Sequence, residues 1–129
     1  MGFLKPHAEK IYAGLRIFAG LMFMSHGLQK IFGLFAEGTP PPMPAFVQYG
    51  GGAIELVGGA LVAIGLFAAP AAFLCSGMMA VAYVMAHASG GFFPIMNKGE
   101  LAVLYCWIFF VIAAKGAGIW SLDASRAKA

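Results

Sequence analysis

Charge is what this sequence has least of. Of its 129 residues five are Asp or Glu and eight are Lys or Arg, 10% in all, where a water-soluble domain carries roughly 25%. So few charged groups cannot cover a globule in water. With 61% hydrophobic residues and a mean hydropathy of +0.86, the chain reads as one integral membrane domain with no soluble domain beside it. The basic residues are thinly spread although the net charge is +3, which excludes the clustered basic face of a nucleic-acid binder. Cysteine is almost missing as well. Cys75 and Cys106 form no CxxC pair, and neither a haem CxxCH nor a dinucleotide fingerprint is present, so electron transfer would need a partner protein. The two cysteines fall on different helices at depths about 10 Å apart. A disulfide needs Cα atoms within about 7 Å, so both are expected to be unpaired packing residues.

Long apolar runs are what the sequence has in place of charge. A span needs about 20 mostly apolar residues, and four segments approach that: residues 11–32, 51–67, 69–88 and 100–119. The N-terminal MGFLKPHAEK resembles a signal-peptide n-region, but the run after it is too long, carries Arg16 and ends in no A-x-A site. A retained first span is expected. Pro6 stands where myristoylation requires Ser or Thr. Between the second and third runs only FAAP intervenes, with Pro70 suited to a first helical turn, so these two helices are antiparallel neighbours. SGGFFPIMNKG separates the third and fourth. The longest connector, GLFAEGTPPPMPAFVQYGG, holds Pro40, Pro41, Pro42 and Pro44, which forbid a regular helix; Phe46 and Tyr49 in it suit the headgroup level. The expected fold is all-α: a polytopic membrane four-helix bundle, antiparallel up-down-up-down, with a Pro-rich loop between helices one and two. Lys5, Lys10, Lys115, Arg126 and Lys128 lie at the two ends, so the positive-inside bias places both termini in the cytoplasm.

The ionisable residues inside these runs share a depth. His26 near the outer end of helix one, Glu55 near the outer start of helix two, His87 at the outer end of helix three and Glu100 at the start of helix four lie within roughly 10 Å of the outer boundary; Lys30 and Tyr83 join them as candidates for ligand binding or proton relay. At about 100° per residue, Arg16, Gly20, Phe23, His26, Gly27 and Lys30 occupy one arc of helix one. On helix two Gly51, Glu55, Gly58, Val62 and Gly65 form a stripe of small residues that marks a packed face and turns Glu55 into the bundle. Ser76, Ala80, Tyr83 and His87 form a similar stripe on helix three. Polar groups in the membrane cost a few kcal/mol each, and pairing His26 or Lys30 with Glu55 offsets that cost. The bland alternative is that such groups only fix helix register; Arg16, Gly51, Gly58 and Gly65 are read in that structural sense.

The run RIFAGLMFMSHGLQK, residues 16–30, resembles the first helix of the DoxX family of small membrane proteins. ELVGGALVAIG, MAVAYVMAH, GELAVLY and the terminal GAGIWSLD are similar to later pieces of that family, in the same order. The resemblance implies a four-helix membrane protein, often a partner in oxidoreductase systems: the family name attaches to subunits of thiosulfate:quinone oxidoreductase, and some relatives act in quinone or thiol stress. It supplies no catalytic set to carry over.

Three chemistries compete. The first is a membrane subunit of a redox system, an oxidoreductase subunit in the bacterial inner membrane with a redox partner protein. It binds quinone or a similar small ligand in an outward-facing polar pocket, where His26, Tyr83 and His87 donate or relay protons and Lys30 stabilises a developing anion. Phe23, Phe92, Phe93 and Trp107 are candidates to line the slot. The second is a bundle-core metal site built from His26, Glu55, His87 and Glu100, although the i, i+3 Glu-His pairing of di-iron bundles is absent. The third is a non-enzymatic carrier or assembly factor. The glycine stripe serves contacts within one chain or within a homo-oligomer in the lipid bilayer. The scattered methionines fit adaptable packing.

Overall fold

The computed structural model describes residues 1–128. Among them every regular element is a helix. Helix α1, Ala8–Phe32, follows a 3₁₀ turn holding Pro6 and stops at Gly33, whose φ of 69° is left-handed. Residues 33–44, which contain all four prolines of the connector, form no regular helix. Helix α2 is Phe46–Ile64 and ends at Gly65, φ 70°. After the turn comes α3, Ala68–Ala86, then a short α4, Pro94–Asn97. Helix α5, Glu100–Lys115, stops at Gly116, and α6, Leu122–Arg126, is capped by Ser121, whose Oγ accepts from the Ala124 N–H.

Three helices, Lys5–Phe32, Phe46–Ile64 and Ala68–Ala86, are long and apolar enough to cross a membrane. Helix α5 has 16 residues, about 24 Å at 1.5 Å each, and carries no charge between Glu100 and Lys115 at its two ends. Phe18, Phe73, Val84 and Trp107 stand exposed on the outside, a surface suited to lipid rather than water. Inside, Phe23, Val62, Cys75, Phe109 and Ile112 are fully buried.

Helix α1 packs along α2, and α3 along α5. The contacts of each pair run in opposite sequence order. Gly20 meets Gly59 and Ala63, while Gly27 meets Gly52 and Leu56; Tyr83 meets Gly99, while Ser76 bonds Cys106. Cross-joints between the pairs include Gly58 against Cys75, Phe23 against Tyr105 and Phe109, with ring centroids 5.2 and 4.7 Å apart, and the Glu9–Lys115 ion pair.

Several sequence expectations need correction. Helix α2 starts at Phe46, not 51, so Phe46 and Tyr49 lie on the helix and not in the loop. The fourth helix ends at Lys115, and residues 116–121 are a loop because Gly116 and Gly118 take positive φ. Ala80 is exposed; the packed face of α3 runs through Ala72, Cys75, Ser76 and Met79 instead. The cysteines are unpaired, but not because their depths differ. The Ser76 hydroxyl donates to the Cys106 carbonyl at 2.8 Å, so Cys106 is level with the residue beside Cys75. The reason lies in the connector. Gly99 is pressed on the Tyr83 ring, which starts α5 about one turn deeper than a start level with His87 would.

Candidate functional site

The inward arc of α1 begins with Arg16, which has 0% exposure. Its Nη1 donates to the carbonyls of Val62 and Ala63 at 2.7 and 2.6 Å, and Nη2 to those of Trp120 and Ile119 at 2.7 and 3.3 Å. The first two carbonyls close α2, where a helix C-terminus carries negative partial charge. Nearby, Asp123 accepts from the N–H groups of Phe67 and Ala68 at 2.9 and 3.0 Å and so caps α3. This end of the molecule is a structural clamp.

At the other end of α1, Lys30 Nζ donates to Glu55 Oε1 at 2.6 Å. Glu55 is only 3% exposed, and its Oε2 has no hydrogen-bond partner within the protein. The local winding explains how a carboxylate comes to face inward here. Residues Ile54–Gly58 form wide π-helical turns, a device often found at functional positions, and Gly52 and Gly27 let α1 and α2 close together. Lys30 also reaches a cleft of about 690 Å³ between the end of α1 and the Pro-rich segment, lined in addition by Gln29, Glu37, Thr39 and Gln48. The Gln48 side chain donates to the Lys30 carbonyl, joining α2 to α1, and that of Gln29 to the Phe35 carbonyl, tying down the start of the segment, both at 3.3 Å. His26 is half-buried, edge-on to Tyr105 with ring centroids 6.1 Å apart, and lines a smaller cavity of about 250 Å³ with Ser25, Gln29 and Phe35.

Tyr83 and His87 belong to a different group. Buried Asn97 donates to the Tyr83 hydroxyl and the Gly91 carbonyl, each at 2.9 Å, and accepts from the Gly99 N–H at 2.8 Å. His87 Nδ1 lies 3.1 Å from the Asn97 carbonyl. This knot fastens the α3–α5 connector. Glu100 is exposed at the first residue of α5, where the helix dipole favours an anion. The four residues expected in one polar layer, His26, Glu55, His87 and Glu100, therefore fall into separate groups, because Asn97 engages the end of α3. Among the described residues no three of His, Cys, Asp and Glu gather as a metal would require. The alternative set His26, Glu55, His87 and Glu100 is thus not brought together.

The glycine stripe is also redistributed. Gly58 lies against Cys75 Sγ and Gly65 against Ser121 and Arg16, but Gly51 faces open space. Tyr105, Asn97, Gln48 and Asp123 were not singled out in the sequence. A signal for Tyr105 existed: Ala102, Tyr105, Phe109 and Ile112 recur at helical spacing and are buried.

The model of the DoxX family matches residues 11–88. A protein of Haemophilus influenzae described as uncharacterized is 39% identical over 134 residues, covering 95% of this chain and 96% of that one. No solved structure matches the chain. With more than half its length matched by the family and a relative that similar end to end, the chain belongs to the DoxX family.

Proposed function

We propose that this protein is a membrane subunit of a redox system that binds a quinone, or a small ligand of the same carbonyl chemistry, in the cleft beside Lys30. In this reading four antiparallel spans cross the bacterial inner membrane with both termini cytoplasmic, and the cleft opens outward. One observation carries it: the buried Glu55 holds Lys30 with one oxygen and keeps the other free, while Lys30 reaches a cleft of about 690 Å³, within the usual 300–1,000 Å³ of ligand sites.

The chemistry follows from those groups. A quinone carbonyl accepts a hydrogen bond from the Lys30 ammonium, which stabilises the negative charge that builds on oxygen as electrons arrive. Glu55 holds or releases a proton beside it, and His26, from the adjoining cavity, is a second proton carrier. Reduction takes two electrons and two protons; the electrons come from a partner protein. The apolar exterior lets an isoprenoid tail lie in lipid while the head group enters the cleft.

The test is quinone content after extraction in native lipid. Wild-type protein is expected to retain quinone above the lipid background, and Lys30→Met to lose about tenfold in affinity, since a charge-assisted hydrogen bond contributes about 1.5–3 kcal/mol. Quinone at background level in the wild type sinks the proposal. So does retention by Lys30→Met together with loss of function on enlarging Gly58, which leaves a packing or assembly role.

A further inference from the structure

A span must cover a hydrocarbon core of about 30 Å. Helix α3 has 19 residues, about 28 Å, but α5 has 16, about 24 Å. The shortfall of about 6 Å does not lie at the end that carries both termini. There Lys115, the last residue of α5, donates to Glu9 Oε1 at 2.8 Å, and the Tyr12 hydroxyl donates to the Gly116 carbonyl. Helix α5 therefore stops level with the polar start of α1. At the opposite end Gly99 lies against the Tyr83 ring, about one turn before α3 stops at Ala86. The missing length falls where the α3–α5 connector, with its short helix α4, stands.

What stands there is apolar. No residue between His87 and Lys98 is ionisable. Phe92 and Ile95 are 87% and 74% exposed, and Phe93 and Met96 are exposed with them. In the chain this patch follows Val84 and Met85 of α3 and precedes Leu101 and Leu104 of α5, all exposed; it leads out of the lipid-facing surface and back into it. Backbone groups enter hydrocarbon only when paired within the protein, and three carbonyls of the connector are paired in this way. That of Gly91 accepts from Asn97 Nδ2, that of Phe93 from the Met96 and Asn97 N–H groups, and that of Pro94 from the Gly99 N–H. Asn97 is itself buried, so the knot it ties keeps polar atoms inside while the large side chains turn out.

We propose that Phe92, Phe93, Ile95 and Met96 form a foot set among phospholipid acyl chains in the leaflet at this end, completing the crossing that α5 leaves short. Exposed Lys98, the residue after α4, then reaches the headgroups along its apolar stem. The partner of this face is lipid rather than a protein, and the inference does not rest on a quinone in the cleft.

The test uses the full chain in phosphatidylcholine vesicles with no other protein, in a background of Cys75→Ala and Cys106→Ala. A nitroxide is attached at Phe92→Cys or at Ile95→Cys, where the exposed side chain is not part of the packing. Its collisions with oxygen, which concentrates in hydrocarbon, and with a water-soluble nickel chelate are measured. The references are Val81→Cys, exposed on α3, and Ser125→Cys, exposed near the C-terminus. Oxygen is expected to dominate at both connector positions, as at Val81→Cys. Dominance of the chelate at either one, as at Ser125→Cys, overturns the proposal and leaves a water-facing patch for a protein partner. Shortening the acyl chains until the hydrocarbon core matches the length of α5 is expected to shift both connector positions toward the chelate and to leave Val81→Cys unchanged. A foot that stays as deep in the thinner bilayer is not completing the span, and that result overturns the proposal as well.

Discussion

Arg16 is the residue on which most of the end carrying both termini depends. A guanidinium presents its donors in a fixed planar fork, and here the fork reaches four carbonyls from two segments more than forty and one hundred residues away. Arg16→Lys replaces the fork with a single ammonium and leaves buried carbonyls unpaired, so the expected loss is about 2–4 kcal/mol of stability. Thermal unfolding in detergent checks this; an unchanged midpoint would mean that the carbonyls find other partners. That Arg16 turns inward was legible, because it shares an arc with Gly20, Phe23 and Gly27. Its partners were not legible, because helical spacing says nothing about residues 119 and 120, which only the folded chain brings to it.

At the scale of the element, α1 and α2 approach through glycines. A Cβ on Gly59 would sit 2.6 Å from the Met24 nitrogen, and one on Gly20 would sit 2.6 Å from that of Ala63. Backbone atoms cannot give way as side chains do. Gly59→Ala is therefore expected to cost about 1–3 kcal/mol or more, while Gly51→Ala, with nothing within 4 Å, is expected to be neutral. Comparing their unfolding midpoints decides the matter: equal effects would show that this face is not the interface. The sequence placed the packed stripe of α2 on Gly51, Gly58 and Gly65 by a uniform 100° per residue. The helix is instead wound with i→i+5 bonds over Phe46–Gly51 and Ile54–Gly58. Glu55, Gly58, Val62 and Gly65 of that stripe are buried as expected; only Gly51 falls off it, since each such turn takes more residues than an α-turn. Gly52 and Gly59, the next residues along, make the contact with α1.

For the whole molecule, the end that carries both termini is bolted by Arg16, by Asp123 at the start of α3, and by the Tyr12 hydroxyl on the Gly116 carbonyl at 2.5 Å. The opposite end is held by Lys30–Glu55 and the Asn97 knot. The proposed orientation is open to a direct check. In a background carrying Cys75→Ala and Cys106→Ala, an impermeant maleimide added to intact cells is expected to label Thr39→Cys and not Ser125→Cys. The reverse pattern would invert the protein in the membrane. Labelling of both from one side would remove the even number of spans.

Composition and hydropathy determined by themselves that the chain is helical and belongs in a bilayer, because a charge content of 10% leaves a folded chain no other solvent. The pattern along α1 also determined which of its faces turns inward, since that helix winds regularly. Tertiary structure alone decided what those inward groups meet. Arg16 found backbone carbonyls and Tyr83 with His87 found Asn97; of the two partners expected for Glu55, the fold chose Lys30 over His26. Such pairings depend on where loops end and how deeply α5 is seated, and those are set by contacts such as Gly99 on Tyr83, which join separate elements across a connector and are invisible to any helical period.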